Sequence, residues 1–266
     1  MEIEFLVSTV NRTNLDFLVP MFQHMQGESY RVLVINQCIA IPLTVLKPEN
    51  PAIRCISVAE RGLSKSRNLA IKNAVGELCV IADDDVVFLP GTTEIISKAF
   101  TEQEADLVQL QVRTPDNSPY KNYWNQSFVI RGQLQLMRIS SIEIVFKRKP
   151  VVANGCWFNE QMGLGANYTA GEEILFLHSC FKKKLRLVSV PVPFVVHPKE
   201  SSGKVFHRNN VLADGILFAR LFPFLFLLVD LYFSLKRYKR YRGSFSFLSY
   251  FYTLFCGNML ALRGKV

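Results

Sequence analysis

Residues 76–88 read GELCVIADDDVVF, and the fold turns on how they are read. Leu78 to Ala82 is an unbroken apolar run of strand length, as in a strand buried on both faces. It runs straight into Asp83, Asp84 and Asp85. Ahead of it, Ser64 to Ala74 carries helical spacing that Gly76 stops. Further back, Ile3 to Val7, Arg31 to Ile35 and the weaker Ile53 to Val58 read as short strands. A helical pattern from Leu15 to Met25 separates the first two. Apolar strands alternating with helices predict a parallel α/β sheet wound with helices. In such sheets ligands gather beyond the carboxyl ends of the strands. Those ends carry Ser8, Thr9 and Asn11, then Asn36 and Gln37, then the aspartate triplet.

Three adjacent carboxylates repel one another unless a cation sits among them. In an extended chain Asp83 and Asp85 point the same way and offer hard oxygen ligands. Such a pair suits Mg2+ or Mn2+ that keeps waters and takes its other ligands from substrate phosphates. A diphosphate leaving group needs that neutralisation as it departs. A bare Asp-Asp-Asp also suits an acidic surface turn or a helix N-cap.

The segment ERGLSKSRNLAI (60–71), followed by GELCVIADDDVVF (76–88), resembles the inverting family 2 glycosyltransferases with the GT-A fold, of the bacterial surface-polysaccharide type. Their pattern is a G-x-S-x-x-R-N-x-x-I helix and then a strand ending in D-x-D. STVNR (8–12) is similar to that family's first nucleotide loop. FNEQMGLGANYTAGEEILFL (158–177) resembles its acceptor loop and catalytic helix, and HPKESSG (197–203) a motif that closes the site in some members. The resemblance implies a GT-A domain over residues 1–203, a Rossmann-like mixed sheet flanked by helices. A helical, apolar and basic membrane-associating extension follows over 204–266.

By the same resemblance Thr9, Asn11 and Arg12 would lie along the nucleoside of a UDP-sugar, and Asn36 would face the base, where many relatives carry Asp. Arg61, Ser64 and Arg67 would approach that pocket, although Arg67 equally suits a solvated helix face. Asp83 would hold ribose or metal, Asp84 would brace the turn within the donor site, and Asp85 would be the main metal ligand. His197 would ligate the Mn2+ or Mg2+ or touch the diphosphate, or serve as an ordinary loop histidine. Glu172 and Glu173 align with the family's catalytic pair. Glu173 would take the acceptor hydroxyl's proton, with Glu172 orienting the acceptor or the loop. Two glutamates in the first turn of a helix also suit the helix dipole. Gly163 and Gly165 would let the acceptor loop move until the donor binds. Trp124 and Trp157 suit sugar stacking or core packing.

The chain has 266 residues, 31 Lys+Arg and 22 Asp+Glu, for a net charge of +9, and is 49% apolar. That composition excludes disorder. Residues 204–266 hold 10 of the basic and 2 of the acidic residues, so residues 1–203 are nearly neutral and lack a nucleic-acid footprint. The tail sets Ile216 to Leu235 before KRYKRYR (236–242) and then a twenty-residue uncharged stretch, Gly243 to Leu262. Aromatic, apolar and basic residues so mixed fit segments lying in an anionic membrane interface. Helices packed on the body or in an oligomer contact, or a weak spanning helix, are the alternatives. The acidic start (Glu2, Glu4) does not read as a signal peptide. The six cysteines have no metal-type spacing, as in a reducing compartment. The expected location is the cytoplasmic face of the cell membrane, peripheral or monotopic. The expected reaction transfers a hexose or N-acetylhexosamine to a lipid-linked glycan acceptor. The rivals are a metal-dependent nucleotidyltransferase, which lacks its Gly-rich phosphate loop here, and a non-catalytic membrane scaffold.

Overall fold

The computed structural model describes residues 1–198, 206–264 and 266. Residues 199–203 of the HPKESSG motif, with the first two residues of the tail, lie outside the described residues. The described residues form nine strands in one sheet. They are β1 (Ile3–Val10), β2 (Arg31–Gln37), β3 (Ile53–Val58), β4 (Leu78–Asp83), β5 (Val87–Phe88), β6 (Leu107–Arg113), β7 (Phe128–Val129), β8 (Ile144–Lys147) and β9 (Leu187–Val196). Their order is β3-β2-β1-β4-β8-β6-β9-β5, with β7 paired to β9. The described helices are α1 (Leu18–Phe22), α2 (Leu63–Asn73), α3 (Thr92–Gln103), α4 (Gln133–Leu136), α5 (Arg148–Ala153), α6 (Glu172–Lys182), α7 (Arg208–Leu221), α8 (Phe226–Tyr241) and α9 (Phe247–Leu262).

Strands β1 to β4 pair in parallel, as their uninterrupted apolar runs predict. The sheet as a whole is mixed, because β8 inserts antiparallel between β4 and β6. The strand β3, half-buried throughout, is the edge. Only Leu18–Phe22 of the expected first helix is helical. Leu18, Met21, Phe22 and Met25 nevertheless bury as its periodicity requires. Phe22 stacks on Phe88 at 5.3 Å, and Phe88 meets Phe5 at 4.5 Å. Each such ring removed from water contributes about 1.5–3 kcal/mol.

One core residue is a carboxylate. Glu4 of β1 is fully buried; it accepts the backbone N–H groups of Val75 and Gly76 at 2.6 and 2.8 Å and an Arg54 guanidinium N–H at 2.7 Å. It thereby ties the turn before β4 to the neighbouring strand β1. A buried carboxylate is tolerated only with such a full set of donors.

The chain divides into two compact units. The first takes the described residues of Met1–Arg61, Lys65–Trp157 and Ser179–Lys199, which include the sheet. The second takes those of Gly62–Ser64, Phe158–His178 and Glu200–Val266. Within the second, α7 and α9 touch backbone to backbone. A Cβ at Gly215 would fall 2.1 Å from the Leu254 carbonyl oxygen, and one at Gly257 2.3 Å from that of Leu212. The uncharged stretch is therefore a packed helix, with Tyr250, Leu254, Asn258 and Ala261 buried. Among the described residues no helix is long and apolar enough to cross a membrane. Arg237 turns inward to an ion pair with Asp214, which leaves the other cations of KRYKRYR outward.

Asp230 of α8 is fully buried and accepts a hydrogen bond from the Asn258 amide of α9. Its second oxygen and the Asn258 carbonyl oxygen, both buried, have no partner among the described residues. Burial pushes the Asp230 carboxyl up to about 7. A carboxyl raised in the folded state contributes stability that is full below the unfolded value, near pH 4, and is lost as pH rises through 7. Asp230→Asn keeps the amide pairing without the charge. It should therefore raise the melting temperature at pH 8 by a few degrees, about 1–3 kcal/mol, and change it little at pH 5. Thermal denaturation at both pH values checks this.

Candidate active site

The carboxyl ends of β1, β2 and β4 converge in register, Thr9 opposite Asn36 and Ser8 opposite Asp83. The aspartate triplet stands there, and each of its members has a different basic partner. Asp83 accepts an Arg67 Nη2–H at 3.0 Å. Asp84 accepts the Arg12 Nη2–H at 2.7 Å and its Nε–H at 3.2 Å, together with the Thr9 hydroxyl. Asp85 faces His197 Nε2 at 3.3 Å. Their mutual repulsion is thus balanced by groups from β1's loop, α2 and the end of β9.

Arg67 is only 1% exposed, so its expected solvated alternative is excluded. A hydroxyl contact at 2.8 Å between Ser66 and Ser8 fixes this stretch of α2 against β1. The His197–Asp85 hydrogen bond lowers the Asp85 carboxyl below its ordinary value and raises the His197 imidazole. Tyr120 meets the His197 ring edge-on at 5.7 Å, and the His197 backbone N–H donates to the Arg113 carbonyl at 2.9 Å. Asp85 itself is 61% exposed at its side chain, the most accessible carboxylate of the three.

Two residues expected along the nucleotide serve the loop itself. The Asn36 amide bonds the Arg12 backbone in both directions, accepting its N–H at 3.0 Å and donating to its carbonyl at 2.9 Å. Asn11, at φ +55°, accepts the N–H groups of Ile39 and Ala40 at 2.8 and 3.0 Å. Together they hold Arg12 toward Asp84. Arg61 is exposed and makes no hydrogen bond or ion pair among the described residues. Trp124 packs on Phe128 and under Arg138, and Trp157 lies under Lys72.

The other expected residues belong to the second unit. Ser64 donates to the Met162 carbonyl at 2.6 Å, and the Leu63 N–H to that of Leu164 at 2.9 Å, so the start of α2 holds the 158–171 loop. Gly163, at φ +99°, lies against Glu172. A Cβ there would sit 3.1 Å from the Glu172 carboxyl carbon. Glu172 is accordingly buried at 7% exposure, whereas Glu173 beside it is half-exposed. Thr169 is hydrogen-bonded to Asn210 of α7. Both glutamates occupy the first turn of α6.

Among the described residues no group of three His, Cys, Asp or Glu side chains is arranged to hold a metal ion. Asp85 and His197 form a two-residue donor set, and Asp83 is committed to Arg67. Such a set suits a hard cation that draws its remaining ligands from a diphosphate and water.

The model of glycosyl transferase family 2 matches residues 26–164, and the chain belongs to that family. A curated relative, the uncharacterized glycosyltransferase YwdF of Bacillus subtilis (strain 168), is 24% identical over 151 residues, 53% of this chain and 54% of the relative. The chain therefore matches about half the length of that relative. The crystal structure of S. aureus TarS 1-349 superposes with a TM-score of 0.67 at 11% identity, over 100% of this chain and 82% of that one. The same protein in complex with UDP-GlcNAc gives 0.64 at 13%, over 92% and 76%. The mixed sheet and its flanking helices are the GT-A fold.

Arg67→Ala should cost about 3 kcal/mol in chemical denaturation, because it leaves Asp83 without its cation beside two other carboxylates. Arg67→Lys should recover only part of that loss, since an ammonium lacks the guanidinium fork.

Proposed function

We propose that the protein transfers a hexose or N-acetylhexosamine from a UDP-sugar to a hydroxyl of a glycan acceptor, with inversion at the anomeric carbon. The observation that carries this reading is the aspartate triplet at the end of β4, with a basic partner on each carboxylate. Family membership supports the reaction class. The TarS complexes with UDP-GlcNAc and UDP support a uridine donor.

In this reading Glu173 removes the proton from the acceptor hydroxyl, whose oxygen attacks the anomeric carbon from the face opposite the diphosphate. The bond from that carbon to the β-phosphate oxygen breaks, and its electron pair leaves on UDP. Glu172, wedged against the Gly163 loop, positions the turn that presents Glu173. Mn2+ or Mg2+ held by Asp85 and His197, with Asp83 beside them, would neutralise the departing diphosphate. Arg12 and Arg67 set the charge of the pocket around it. The acceptor is lipid-linked, a polyprenyl-diphosphate glycan of surface polysaccharide assembly, and the enzyme works at the cytoplasmic face of the membrane. The apolar, basic tail supports that placement.

A panel of UDP-sugars incubated with Mn2+ tests the donor assignment by release of UDP. One sugar should be hydrolysed in preference; release from none overturns the assignment. With that donor, Glu173→Gln should lower kcat by about 100-fold or more and leave UDP affinity unchanged by calorimetry. Equal turnover in the variant would remove Glu173 from the base role.

A further inference from the structure

The second unit contains a helix whose polarity is reversed. The inward stripe of α8 carries Asp230, Ser234, Arg237 and Tyr241, spaced by four, three and four residues. Asp230, Ser234 and Tyr241 are fully buried, and Arg237 is held by Asp214. The outward stripe, from just before the helix, carries Phe224, Leu228, Leu231, Leu235 and Tyr238, spaced by four, three, four and three. Phe224 is 96% exposed and Leu228 65%. In water a helix buries its apolar stripe and exposes its polar one; α8 buries a polar stripe, with Phe233 stacked on Phe218 beside it, and leaves a contiguous row of leucines exposed.

The charge on this face is segregated. From Phe224 to Leu235 no exposed residue is charged, and the outward cations Lys236, Lys239, Arg240 and Arg242 all fall in the last turns or just after. The helix therefore presents an apolar two-thirds and a cationic third. No acidic side chain of α8 faces outward, because Asp230 is buried. An anionic bilayer surface matches both parts, acyl boundary against the leucines and headgroup phosphates against the cations.

We propose that the outward face of α8, and not the longer uncharged stretch of α9, is the surface that docks this protein on anionic phospholipid. The inference rests on the membrane placement proposed above and names the residues responsible. Phe224, Leu228, Leu231 and Leu235 enter the headgroup–acyl boundary. Lys239 and Arg242 remain at phosphate level, with their stems along the apolar surface.

Co-sedimentation of the full chain with vesicles of phosphatidylcholine, with and without phosphatidylglycerol, tests it. The protein should partition at least about 10-fold more strongly onto the anionic vesicles, with binding that falls as salt rises. Leu228→Glu/Leu235→Glu should weaken partitioning at least about 10-fold on both compositions. Both positions are exposed, so its melting temperature should match that of the parent chain. Lys239→Glu/Arg242→Glu should lose binding to anionic vesicles specifically. Equal partitioning of the parent and the leucine variant overturns the proposal. So does a parent chain that ignores vesicles but is dimeric by light scattering while the leucine variant is monomeric, since the face would then join two copies. UDP-sugar hydrolysis on the same samples separates the two readings. A chain that docks through α8 but hydrolyses no donor sinks the transferase reading and supports this one.

Discussion

Three consecutive carboxylates at the end of one buried strand are the constraint around which the sheet-bearing unit is arranged. Left alone they would repel each other. The fold supplies a separate basic group to each. Arg12 reaches Asp84 from the loop after β1, Arg67 reaches Asp83 from inside α2, and His197 reaches Asp85 from the end of β9. Much of the unit's polar interior serves that balance. Asn36 and Asn11 fix the loop that carries Arg12, and Ser66 with Ser8 sets α2. The middle carboxylate is the one most fully occupied by protein, and the last is the one left most open to a ligand.

The second unit meets the opposite problem. Its helices carry few charges inward, yet those few are buried, and its apolar residues are only partly used inside. The α7–α9 contact is closed by glycines at backbone distance. Beside that crossing α8 buries a polar stripe, with Phe233 stacked on Phe218. Its leucines are left outside.

The first hundred residues were readable because their signals are local. Continuous apolar runs declare strands buried on both faces, and β1, β2 and β4 fall where those runs lie. The later strands β5 and β7 are two residues each, too short for any period to register. β8 reverses the sheet's direction through pairings that no local pattern announces. Glu4 was legible only as a charge near the amino end. Its burial under two backbone N–H groups and Arg54 is a property of the turn before β4, seventy residues away.

The sequence by itself determined the order of the motifs, the aspartate triplet at a strand end and the glutamate pair at a helix start, since each is written in neighbouring residues. It also located the positive charge in the tail. Only the tertiary structure decided that Arg67 is buried on Asp83, that Asn36 holds the Arg12 backbone, and that Glu172 is wedged beside Gly163 while Glu173 stays accessible. It also decided that one face of the uncharged stretch packs inward, and that the interrupted apolar run is buried up to Leu221 and largely exposed from Phe224. The reason is the same in every case. Composition states which side chains are apolar or charged, whereas burial depends on which distant backbone approaches them, and that approach is set by the packing of the whole chain.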